Sequence, residues 1–207
     1  MTITISRLYN SYPDAQAAID RLEAAGVSHG DISVLASNAD EWYRGDQGNK
    51  ATIIPDRDLD HRDDRKEAAA TGAEVGAVGG GALGALTGLG LLAIPGVGPV
   101  VAAGWLVATL AGAAAGGVAG GAIGALTQAG VGKEEADIYA EGLRRGGTVV
   151  TARVENADAP RLQEMLDNTA VRIPDRADLY RKSGWTKFDP NAPNYSAEQV
   201  RKERALY

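Results

Sequence analysis

Three sets of residues in this chain have the types and spacing of known chemistry, and each has a plainer reading beside it. Gly79, Gly81 and Gly84 satisfy the GxGxxG spacing that lets a backbone approach a dinucleotide pyrophosphate. No strand precedes them and no acid lies about 20 residues on to hold a ribose, and in so glycine-rich a run the spacing arises by chance. In PDRDLDHRDDRKE, Asp56, Asp58, Asp60 and Glu67 occupy positions 1, 3, 5 and 12 of a calcium-loop pattern. The glycine needed at position 6 is His61, and Arg57, Arg62, Arg65 and Lys66 repel a cation, so the stretch reads as a solvated charged linker. Glu134, Glu135, Asp137 and Glu141 lack a paired histidine or a second acidic cluster, and they suit the solvated face and N-terminal charge of a helix.

What is missing narrows the function classes. The chain has no cysteine and only His29 and His61, which removes disulfides, thiolate metal sites and a cysteine nucleophile. With 21 basic against 27 acidic residues and a net charge of −6, it has no cationic excess for phosphates, and nucleic acid is not an expected partner. No catalytic residue, cofactor-binding residue, metal ligand or small-molecule substrate site is assigned, and the expectation is a protein that is not an enzyme. The opening MTITISRLYNSYPDAQ has no basic start followed by an apolar run and does not read as a secretory signal.

The elements that hold these residues follow from periodicity. Ile3 and Ile5 alternate with Thr4 and Ser6 as a half-buried strand does. Ala15, Ala18, Ile19 and Leu22, opened by Pro13 and Asp14 and stopped at Gly26, predict an amphipathic helix over 13–25. Ile32 and Val34 give a second strand, and 37–71 forms a polar acidic loop. KEEADIYAEGLRRGG has acids in its first turn and arginines in its last, as the helix dipole favours. TVVTARVE then reads as a strand, Asp158 and Pro160 open a helix bearing Leu162, Met165 and Leu166, and a brief strand is expected at Val171–Ile173. This is the order of a ferredoxin-like βαββαβ sandwich: its first half is 1–36, and 133–177 holds an amphipathic helix and its second half. The fold class expected is therefore α+β, interrupted by an inserted helical hairpin and followed by a C-terminal arm over 178–207. In that arm Trp185, Phe188 and Tyr195 are candidate partner contacts, or fold back as an edge cover, and Ser196 with Gln199 forms a capping box.

The insert, 72–132, holds 19 of the 27 glycines, and Val75 to Gly132 contains no Asp, Glu, Lys, Arg or His. Pro95, Gly96, Gly98 and Pro99 break it at a reversal over 94–99, leaving arms of 72–94 and 100–130. Gly72, Gly76, Gly80, Gly84 and Gly88 recur every fourth residue in the first arm. Gly104, Ala108, Gly112, Gly116, Gly120 and Gly124 do so in the second. Residues four apart share a helix face, so each arm is expected to present a smooth groove for close helix packing. Each arm is also long enough to cross a bilayer core of about 30 Å at about 1.5 Å per residue.

LTGLGLLAIPGVGPVVAAGWLVATLAGAAAGGVAGGAIGAL followed by GVGKEEADIYAEGLRRGGTVVTARV resembles the bacterial heat-induced general stress protein (17M-like) family, and the opening Ile3–Val34 fits as well. The resemblance covers about 1–36 and 72–155 and implies a stress-related context without a settled biochemical activity or catalytic residues. The expectation is a non-enzymatic, stress-associated protein that self-assembles and inserts or packs a glycine-zipper hairpin, with itself and a lipid bilayer as partners. It would sit on the cytoplasmic side of the inner membrane, or in the cytoplasm as a soluble assembly with its zippers buried between subunits. A ligand- or metal-sensing ferredoxin-like module is the other alternative.

Overall fold

The computed structural model describes residues 1–43, 90–107, 109–110 and 121–206. Two period-2 runs far apart in the chain become adjacent strands: β1 (Thr2–Tyr9) pairs antiparallel with β5 (Thr148–Glu155), in a register that sets Ile5 opposite Ala152. The other edge of β5 takes β2 (Ile32–Ser37), also antiparallel, with Val34 opposite Val150. β1 and β2 therefore run parallel with β5 between them. The helix α1 (Tyr12–Ala24) makes the crossover, opened by Ser11, whose hydroxyl accepts from the Asp14 amide.

Beyond β2 the sheet gains two strands that the periodicity did not place, β3 (Gly90–Ile94) and β4 (Gly98–Ala103), to give the order β1-β5-β2-β4-β3. The remaining helices are α2 (Gly121–Gln128), α3 (Lys133–Arg144), α4 (Ala159–Asp167), α5 (Ile173–Lys182) and α6 (Ala197–Arg204). The architecture is mixed α/β, with five strands and six helices among the described residues.

Each sheet face has its own core. Ile5, Tyr9, Ile32, Val34, Val150, Ala152 and Val154 meet Ala15, Ala18, Ile19 and Leu22 of α1 and Leu162 and Leu166 of α4. On the opposite face Leu8, Leu35, Val100, Ala102 and Val149 meet Ala122, Ala125 and Leu126 of α2 and Tyr139 and Leu143 of α3. Ile138, on another side of α3, packs with Ala177 and Tyr180 of α5.

Two expectations are corrected here. First, IPGVGP reverses a β-hairpin and not a helical one: the Val97 amide bonds to Ile94 O, and Gly96 and Gly98 take φ of +74° and +100°. The β-branched Ile94, Val97, Val100 and Val101 beside Pro95 favour extended backbone, and the open side of β2 offers a ladder to complete. Residues 90–94 and 98–103 are thus strand and not zipper arm. Second, Val171–Ile173 is not a strand. Pro174 follows at the first turn of α5, where a missing N–H is harmless but a ladder would suffer, and only the bond from the Val171 amide to Leu8 O remains, at 2.8 Å. The sheet order accordingly differs from that of a four-stranded ferredoxin-like sandwich. The segment from 178 begins inside α5, which runs to Lys182, so the arm proper starts at Ser183.

Candidate functional site

The strongest concentration of charge in the described residues lies where α3 ends. Ala136, Tyr139, Ala140 and Leu143 hold one face of this helix against the sheet, which carries Glu141 inside with no solvent exposure. Glu141 Oε1 accepts from Arg144 Nη2 at 2.7 Å and from Arg145 Nε at 2.6 Å, and its Oε2 accepts from Arg144 Nε at 2.9 Å. Arg145 also donates to Glu203 Oε1 at 2.9 Å and to Ser183 Oγ at 3.1 Å, with its guanidinium 4.3 Å above the Tyr180 ring. Burial alone would lower the Arg145 pKa, but its bonds to Glu141 and Glu203 outweigh this and hold it above the ordinary arginine value. From α6, Arg204 donates twice to Gly146 O, at 3.0 and 2.8 Å, and once to the Asp40 carboxylate. A cation thus sits on the carbonyl just past the C-terminus of α3, where the helix dipole favours it.

This network clasps the C-terminal arm to the body. Trp185 packs edge-on against Tyr180 at 5.8 Å, Phe188 is buried in the core cluster that contains Ile94 and Val97, and Tyr195 lies 4.9 Å below Arg144. Val200 is fully buried, over Gly146. All three aromatic candidates for partner contact are therefore engaged within the chain, over the hairpin turn and the end of α3. Gly96 shows how close the arm lies, since a Cβ there would stand 2.5 Å from Pro190 Cα. Pro95 and Pro99 are exposed on the two sides of the same turn.

The carboxylates of α3 do not converge. Glu134 is exposed, while Asp137 has its pKa raised by burial, an effect countered by Lys133 and Lys187. Glu135 Oε1 lies 2.7 Å from the Tyr139 hydroxyl, which is also 2.8 Å from Ser6 O. Burial first, then the Glu135 charge, raises the Tyr139 pKa and keeps its hydroxyl protonated. Beside them an open groove of about 730 Å³ is lined by Arg7, Glu135, Asp167 and Arg172, with the Arg7 guanidinium paired to Asp167. Among the described residues no group of three or more His, Cys, Asp or Glu could hold a metal ion. The charged groups of this region clasp the arm and orient one another.

Of the helix-packing positions, Gly104 and Gly124 are described. Gly104 ends β4 at φ +89°, and a Cβ there would lie 2.3 Å from Ile32 O and 2.5 Å from Ser33 Oγ. Its close approach is to strand β2 and not to a helix, and the turn it makes lets the Leu106 amide reach Ser33 Oγ at 3.1 Å. The adjacent Trp105 bonds to Asp31 O and lies under Arg153, 3.7 Å from its guanidinium. Gly124 lies within α2, and a Cβ added there would have no described atom within 4 Å. Gly72, Gly76, Gly80, Gly84, Gly88, Ala108, Gly112, Gly116 and Gly120 lie outside the described residues, as do Gly79, Gly81 and the acids Asp56, Asp58, Asp60 and Glu67.

Sequence reasoning passed over Asp40, Arg145, Glu203 and Arg204. Half of the signal was present in the i, i+4 spacing of Glu141 and Arg145 at the end of the expected helix. The other half comes from residues 58 and 164 positions apart, which no local pattern connects. Among described residues no helix is long and apolar enough to cross a membrane. Comparisons of the chain with family models, curated proteins and solved structures return no match.

Proposed function

We propose that this chain is a non-enzymatic, stress-associated protein that works by assembling with copies of itself, the uncharged insert supplying the contacts. The observation that carries the reading is the edge strand β3. Its sequence, GLLAI, has no charge and no proline, Leu91 stands 42 % exposed, and among the described residues β4 is its one sheet neighbour. Bare apolar edges of this kind are templates for pairing, and chains that remain monomeric usually blunt them with lysine, proline or a bulge. The stress association rests on the resemblance of Leu86–Leu126 and Gly130–Val154 to the general stress protein family.

Assembly is favoured over a bilayer-crossing hairpin because the second arm is committed elsewhere. Residues 98–103 are strand, and Leu106, Leu110, Ala122, Ala125 and Leu126, on either side of 111–120, belong to one core cluster. A bilayer crossing needs about 20 apolar residues. We also read the first half of the sheet as a modified ferredoxin-like sandwich. β1, α1, β2, β5 and α4 supply five of its six elements, the sixth is replaced by α5, and the β3–β4 hairpin extends the far edge.

Sedimentation velocity of the full chain without lipid or detergent tests this reading. Species heavier than the 21.4 kDa monomer that grow with concentration are expected. A monomer at every concentration, with flotation on anionic vesicles, would replace assembly by membrane binding.

A further inference from the structure

The hydrogen-bonding pattern of the hairpin fixes which groups β3 offers. Asn38 N donates to Pro99 O at 2.8 Å, so the carbonyl of Pro99 faces β2. In an antiparallel ladder the N–H and C=O of one residue point to the same side, so Pro99 faces away from its partner Ala93, and the two form a non-hydrogen-bonded pair. Ala93, and by alternation Leu91, therefore turn their N–H and C=O groups to the side away from β4, which no described strand pairs, while Gly90, Leu92 and Ile94 turn theirs to β4. The side chains of Leu91 and Ala93 are exposed, and Leu92 packs on the core cluster.

This edge is complementary to itself. We infer that β3 pairs antiparallel with β3 of a second copy about a two-fold axis at Leu92. The proposal rests on the self-assembly reading above and names its first contact. In this register Leu91 of each copy exchanges both backbone bonds with Ala93 of the other, making four inter-chain bonds and one continuous ten-stranded sheet. Leu92 meets its own counterpart in a non-hydrogen-bonded pair, and each exposed Leu91 lies across from the small Ala93, which leaves room for it. The paired strands bring no charge of their own to the contact, because no Asp, Glu, Lys, Arg or His occurs from Val75 to Gly132. A second copy is the occupant chosen because a single short strand supplies both halves of the pattern in register, with no chemistry required from another protein.

The register gives a sharp test, aided by the absence of native cysteine. Opposed residues of a non-hydrogen-bonded pair lie about 4.5 Å apart at Cα, within the range a disulfide bridges. Leu92→Cys should form a disulfide-linked dimer under mild oxidation, Leu91→Cys alone should not, and adding Leu91→Lys to Leu92→Cys should abolish the link. In the wild-type chain the amides of Leu91 and Ala93 should become protected from hydrogen exchange as concentration rises, which needs no substitution. Assembly of the wild type without the Leu92→Cys link and without concentration-dependent protection would overturn this interface and leave self-assembly standing. A chain that sediments as a monomer throughout would overturn both.

Discussion

Tyr9 is fully buried in the α1–α4 core, and its hydroxyl finds no hydrogen-bond partner among the described residues. Burial pushes its pKa up from 10.0 to about 12, so the folded state holds the proton more tightly than the unfolded chain. The stability this contributes is complete below pH 10 and is lost as pH rises toward 12, since the unfolded chain ionises first. Tyr9→Phe removes an unsatisfied buried group and should raise stability at neutral pH by about 1 kcal/mol, near 2–4 °C in Tm for a chain of this size. It should also flatten the alkaline fall, leaving the part due to Tyr12 and Tyr139, whose pKa values burial also raises; thermal melts of both chains at a series of pH values check both effects. Two glycines separate zipper packing from backbone demand. Gly124→Ala should stabilise by about 1 kcal/mol, since it adds helix propensity where no described atom is crowded. Gly104→Ala should cost at least about 2 kcal/mol, because the residue is left-handed and its Cβ would overlap Ile32 O. Urea midpoints read both changes, and loss of stability at Gly124 would mark it as a helix-packing position.

At the scale of elements, the clasp between α3 and α6 decides whether the arm stays down. Removing Glu141 leaves two arginines without their shared buried acceptor, so Glu141→Ala is expected to cost about 3–5 kcal/mol. Glu203 is the lesser partner of Arg145, which keeps Glu141 when it is lost, and Glu203→Ala should cost about 1 kcal/mol. Its signature is local: cleavage by a non-specific protease between Gly184 and Asn194 should accelerate while the fragment from residue 1 stays folded by circular dichroism. Equal loss of global stability in the two variants would show that the arm and the body unfold as one unit. Six elements were legible at this scale because β1, α1, β2, α3, β5 and α4 each carry a periodic apolar face. β3 and β4 were not, because a five-residue apolar run beside glycine and proline is equally a buried strand or a piece of helix until a neighbour supplies the ladder.

For the whole molecule, net charge and apolar contact oppose each other. Copies carrying −6 repel, while the contact surface proposed here is uncharged, so screening should strengthen association. Raising ionic strength from about 0.05 M to about 0.5 M shortens the Debye length severalfold and should shift sedimentation toward heavier species. An assembly held by ion pairs between copies would shift the opposite way.

The sequence by itself determined the distribution of charge, the absence of cysteine chemistry, the helices with capped and amphipathic faces, and the capping box of Ser196 and Gln199 that opens α6. These rest on neighbours within a few residues. Tertiary structure alone decided that the IPGVGP turn joins strands, that Gly104 serves a strand crossing, and that Phe188 and Val200 return to the body. It also set Arg145 and Arg204 at the centre of a clasp joining residues far apart in the chain. A glycine repeat fixes spacing but supplies little side chain to favour helix over strand, so for 90–104 the edge of β2 made the choice.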